Sequence, residues 1–100
     1  MARGWPAVIH EDNMRSQTDT LLRKILTDVL GLKPGQADAF TRDTGLFGDL
    51  PELDSMAVAG LLTEMEDRLD IIIEDDEVDG ELLETYGALL AFAEAKREAA

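Results

Sequence analysis

The chain has 100 residues, no cysteine, and 22 acidic against 9 basic residues, a formal charge of −13. That length suits one domain with a single modest core, and the absence of cysteine excludes a disulfide framework, a zinc knuckle and a protein thiol. The charge argues against partners that are themselves anionic, nucleic acid or an acidic membrane surface, and for proteins with basic patches, steered by the field and weakened by salt.

The acidity is uneven. Residues 1–30 hold four Lys/Arg and four Asp/Glu, whereas residues 31–100 hold five and eighteen. Acidity also serves solubility, so it does not by itself name a function. No apolar run approaches the length of a membrane span, residues 71–73 being typical, and nothing resembles a signal peptide. The expectation is a soluble, cytoplasmic protein without membrane insertion.

Residues 1–17 lack a sustained period and contain Gly4 and Pro6, and read as a flexible leader. Trp5, Val8 and Ile9 are its apolar residues. His10, the sole histidine, has no catalytic or metal-binding company there. The first helix is expected near Thr18, with Asp19 adding favourable charge, and Leu22, Ile25, Leu26 and Val29 form its apolar stripe. Gly31, Pro34 and Gly35 end it. A long connection, residues 33–53, should carry packing or function of its own, with Phe47, Leu50 and Leu53 pinning it and a helical turn near residues 46–48.

The most informative stretch is LPELDSMAVAGLLTEMEDRL, residues 50–69. Asp54 is placed to cap a helix over Ser55–Leu69, whose buried face is Val58, Leu61, Leu62, Met65 and Leu69. Ser55, Met56, Ala59 and Thr63 then project elsewhere, and a hydroxyl stands at the helix mouth. Residues 71–73 read as extended and residues 74–77 as a solvated acidic run. A short third helix is expected on Leu82 and Leu83. Thr85 caps a last helix with Ala88, Leu89, Phe92 and Ala93 inward and Lys96 and Arg97 at its negative end. Residues 18–97 form the domain and residues 98–100 a tail.

Asp54-Ser55-Met56 opening an amphipathic helix after a long loop, with a Thr opening the final helix, resembles the acyl carrier protein family over about residues 18–95. The resemblance implies an all-α, four-helix up-down bundle with a long first loop. It implies that Ser55 carries 4′-phosphopantetheine as a phosphodiester, its terminal thiol holding an acyl group as a thioester, and that Asp54 helps the transferase and its metal engage coenzyme A. A phosphate at that place also suits the positive helix end. The implied partners of this expected monomer are a phosphopantetheinyl transferase and acyl-loading and acyl-transfer enzymes with basic docking patches. Met56, Ala59 and Thr63 would form the contact face, Glu64, Glu66 and Asp67 the steering charges, and the interior near Val58, Leu62 and Ile73 a shelter for an acyl chain.

Two departures bear on specificity. Glu52 stands where many carriers have Gly, and Ala57 and Gly60 stand where they often have acidic residues, which points to dedicated partners in a specialised pathway. The cargo is open: an aminoacyl, peptidyl or aryl group is the alternative to an acyl chain. Three readings from other classes stand against a carrier. A serine nucleophile would need a base, and His10 lies in the leader. An EF-hand is imitated by Asp75, Glu77, Asp79 and Gly80, but its twelfth place falls on Tyr86, where a bidentate Glu is required. A plain acidic interaction module is the third.

Overall fold

Ser16 opens the first helix. In extended backbone its Oγ accepts the Asp19 N–H at 3.0 Å and donates to Glu94 at 2.7 Å, so helix α1 spans Gln17–Leu30 and starts just before the expected Thr18. The computed structural model describes residues 15–99, and the readings on Trp5, Val8, Ile9 and His10 lie outside them. Gly31 closes α1 in the left-handed conformation, φ 65°, and the Leu32 N–H folds back to the Thr27 carbonyl at 3.1 Å. Helix α2 spans Ser55–Leu69, as the sequence predicts, and ends on Asp70, a non-glycine residue at φ 57°. Helix α3 spans Tyr86–Ala99, so Glu98 and Ala99 extend the helix instead of forming a tail.

The described residues are thus all-helical, with three α-helices and short 3₁₀ turns at Ala37–Ala39 and Asp75–Glu77. No helix among them is long and apolar enough to cross a membrane. Helix α1 packs mainly along α2 and to a smaller extent on α3. Leu22, Ile25 and Leu26 of α1, Leu61 and Met65 of α2, and Tyr86 and Leu89 of α3 meet in the fully buried centre.

Two expectations need correction. Leu82 and Leu83 are buried, but they sit in a turn, not in a third α-helix. The reason is where their backbone groups go: the Leu83 and Glu84 carbonyls accept the Phe47 and Leu46 N–H groups at 2.9 and 3.0 Å, and the Asp79 carboxylate takes the Leu82 N–H at 2.9 Å. The helical turn forms upstream, where Glu74 and Glu77 make a reciprocal capping box inside the acidic run. Secondly, Phe47 does not pin the long connection. Leu46 does, fully buried, together with Leu53, while Phe47 is about half exposed at 51 %.

The connection is stitched to the entrance of α3. Besides those two bonds, the Tyr86 N–H donates to the Thr44 carbonyl at 2.8 Å and the Gly87 N–H to the Arg42 carbonyl at 3.0 Å, around an isolated Gly45–Thr85 bridge. Gly87 permits this approach, because a Cβ there would lie 2.9 Å from the Arg42 oxygen.

A buried polar cluster ties the same loop to the bundle. Arg23 Nε donates to Asp19 Oδ1 at 2.6 Å, and an amino group of Arg23 donates to the Ala37 and Phe40 carbonyls at 2.7 and 3.0 Å. The guanidinium lies 4.7 Å from the Tyr86 ring centre, and the Tyr86 hydroxyl donates to Asp19 Oδ1 at 2.6 Å. Burial pushes the Asp19 carboxyl up, but the hydrogen bonds from Arg23 and Tyr86 and the arginine charge outweigh it, leaving the group below its ordinary value. Burial, with the bond to Asp19, drives the Tyr86 phenol far above its own.

Candidate functional site: the mouth of the second helix

Asp54 sets the geometry. Its backbone is extended, its Oδ1 accepts the Ala57 N–H at 2.8 Å, and its carbonyl accepts the Val58 N–H at 2.9 Å. This cap satisfies one orphan donor of the first turn and leaves Ser55 as the first helical residue, exposed to solvent. No acidic side chain lies in that turn, so within the helix entrance only the capping Asp54 counters the positive end.

Beside the hydroxyl runs a cleft of about 250 Å³ lined by Phe47, Ser55, Val58, Asp79, Gly80 and Leu83. Its walls come from three places: the end of the long connection, the first turn of α2, and the turn before α3. The backbone bonds from Leu46 and Phe47 to Glu84 and Leu83 hold two of these walls in register. Of the expected acyl shelter, Val58 lines this cleft; Leu62 and Ile73 are half-buried against the core and are not in its walls.

Met56, Ala59 and Thr63 are all exposed, Met56 at 85 %, so the expected contact residues share the open side of α2. The charges are less free. Glu64 pairs with Arg68 at 2.8 Å, Arg68 reaches across to Asp28 of α1 at 2.8 Å, and Glu66 Oε2 accepts the Ile73 N–H at 2.9 Å. The Arg68 hydrogen bond holds the exposed Asp28 carboxyl below its usual range. Asp67 stays exposed. Two of the three carboxylates that imitate a calcium loop are engaged as well: Glu77 meets Lys96 at 2.6 Å and takes the Glu74 N–H, and Asp79 takes the Leu82 N–H. Among the described residues no group of three or more His, Cys, Asp or Glu is arranged to hold a metal.

A family model described as a phosphopantetheine attachment site matches residues 20–93. The chain belongs to the phosphopantetheine-binding acyl carrier family. Among solved structures, the carrier is similar to the solution structure of a holo acyl carrier protein from Nitrosomonas europaea. The two share 38 % identity and a TM-score of 0.75, covering 83 % of this chain and 99 % of that one. No curated protein matches. The family's prosthetic group is a covalently attached 4′-phosphopantetheine. The carrier's residues fit it: an exposed hydroxyl at a positive helix end, with no acidic neighbour in the first turn, beside a mostly apolar cleft.

Phe47, Asp79, Gly80 and Leu83 were absent from the site expected of the sequence. Asp79 and Gly80 carried only the signal of an incomplete calcium loop, and Phe47 that of a core residue. No local pattern announces that they meet Ser55.

Proposed function

We propose that Ser55 is the attachment residue and that this carrier holds acyl intermediates as thioesters for a specialised acyl, lipid or polyketide pathway. The observation that carries the reading is the exposed Ser55 hydroxyl, capped into place by Asp54 at the mouth of α2 within the matched region. The bound group supplies a terminal thiol on a long arm, which this cysteine-free chain lacks. The chain's residues do the rest. Asp54 fixes the helix end, so the hydroxyl is presented outward. The positive end of α2 stabilises the phosphodiester charge. Phe47, Val58 and Leu83 offer apolar surface to the first part of a cargo.

The carrier performs no chemistry of its own in this reading: Ser55 is acted upon by a phosphopantetheinyl transferase. Acyl-loading and acyl-transfer enzymes follow, seated on Met56, Ala59 and Thr63. Glu64 and Asp67 contribute charge at a distance, and Glu66 serves the fold through Ile73. The protein acts as a cytoplasmic monomer.

Incubation with coenzyme A and a broad-specificity phosphopantetheinyl transferase, read by intact mass, tests this. The expected result is the gain of one phosphopantetheine by the wild-type chain and none by Ser55→Ala. A wild-type chain that gains nothing, or a Ser55→Ala chain that still gains the group, overturns the assignment.

A further inference from the structure

Any transferase that modifies Ser55 must bring its own surface against whatever surrounds the hydroxyl. Two large apolar side chains stand there in the open: Met56, 85 % exposed and next in sequence, and Phe47, 51 % exposed in the wall of the same cleft. Solvated apolar side chains of this size beside a reactive position favour contact with an apolar partner surface.

The charges around them are lopsided. Between Arg42 and Lys96 the only basic residue is Arg68, and it is committed to Asp28 and Glu64. On α2 the first acid beyond Ser55 is Glu64, nine residues on and therefore about 14 Å along the axis. Across the cleft the situation is the reverse. Asp79 lines the cleft with Ser55, and Glu81 and Glu84 follow in the same turn, all three exposed. Among the described residues none of the three joins an ion pair. Their position is fixed by the backbone bonds from Leu46 and Phe47, so the negative group and the apolar Phe47 move as one piece.

We propose that the phosphopantetheine-delivering enzyme docks across the cleft, with an apolar socket over Met56 and Phe47 and with Lys or Arg side chains received by Asp79, Glu81 and Glu84. The charges of α2 play the lesser part. This rests on Ser55 as the attachment residue and adds to that reading the side from which the partner is oriented.

The test compares initial rates of phosphopantetheine transfer from coenzyme A, by intact mass, at low and high salt. The variants are Asp79→Asn/Glu81→Gln/Glu84→Gln, Glu64→Gln/Asp67→Asn, and Met56→Ala. Asn at 79 keeps an oxygen for the Leu82 N–H, and Met56 is nearly fully solvated, so the folds survive; a thermal melt of each verifies this. The triple variant is expected to lose about tenfold in kcat/KM at low salt and most of its salt dependence, as removal of steering charges does. The α2 pair should lose less than about twofold, and Met56→Ala should raise KM several-fold at both salt concentrations. A triple variant with wild-type kinetics and salt dependence overturns the proposal while leaving Ser55 intact. So does an α2 pair that takes the larger loss. A wild-type chain that accepts no phosphopantetheine overturns both.

Discussion

Arg23→Met is the sharpest probe of what holds the cleft together. The arginine is buried, and its side chain retains only 10 % of its exposure, against 13 % for its partner Asp19. It donates to Asp19 at 2.6 Å and to the carbonyls of Ala37 and Phe40, joining α1 to the loop that continues into the Arg42–Gly87 and Thr44–Tyr86 contacts. Methionine keeps most of the apolar stem and removes every donor, leaving Asp19 with the Tyr86 hydroxyl alone. Removing one partner of a buried ion pair costs about 3–5 kcal/mol. That is a large part of the roughly 5–15 kcal/mol available to a domain of this kind. Asp19→Asn should cost less, about 1–3 kcal/mol, because asparagine still accepts a hydrogen bond and the guanidinium keeps its carbonyl partners. In the double variant no charge is stranded, so its cost should fall short of the sum by at least about 1 kcal/mol. Urea unfolding followed by far-ultraviolet circular dichroism measures all three. An Arg23→Met cost below about 1 kcal/mol, or strict additivity in the cycle, would refute the account of the cluster as a mutually dependent buried pair.

The same cluster sets an acid limit. The folded Asp19 carboxyl titrates below its unfolded value of about 3.9, so its contribution is complete above that pH and is lost as pH falls through the lower folded value. Urea midpoints measured downward from about pH 5 should decline below pH 4, and Asp19→Asn should flatten part of that decline; an identical slope in the variant would remove Asp19 as its source. Gly87→Ala should destabilise by about 1–3 kcal/mol, since the new methyl group would meet the Arg42 carbonyl at 2.9 Å; a neutral result in urea unfolding would contradict the close approach. Gly60→Ala should act in the opposite sense. A Cβ there meets only a Val29 methyl group at an ordinary 3.9 Å. The helix should therefore gain up to about 1 kcal/mol and the thermal midpoint should rise, and a lower midpoint would show that the glycine is needed within the fold.

How legible was this in the sequence? Helix α2 was legible because its signals are local: Asp54 as cap and a 3.6-residue stripe whose last member is Leu69. Thr85 was legible as the cap of α3 for the same reason, its Oγ1 accepting the Ala88 N–H at 3.1 Å. Leu82 and Leu83 misled because two buried leucines beside a helix-forming stretch look alike in a helix and in a turn. The difference lies in the carbonyls of Leu83 and Glu84, which serve residues 47 and 46, more than thirty positions away. Asp19 read as a helix-dipole charge, and its role as the buried counterion of Arg23 depends on Tyr86 arriving from the far end of the chain.

The Leu46–Phe47 pair shows why attachment and recognition differ in legibility. Attachment needs one hydroxyl at one helix mouth, and that is written within three consecutive residues. Recognition needs a surface, and here it is made by a register between two irregular segments: Leu46 turns inward to full burial, so its neighbour Phe47 turns outward beside Ser55. The N–H groups of both residues fasten the turn that carries Asp79, Glu81 and Glu84. A slip of one position in that register would bury Phe47, expose Leu46 and shift the acidic turn relative to the hydroxyl. The buried cluster of Arg23, Asp19 and Tyr86 and the close contact at Gly87 oppose such a slip from the other end of the same loop. The side chains that stabilise the fold at a distance from Ser55 therefore also fix the shape a partner meets there.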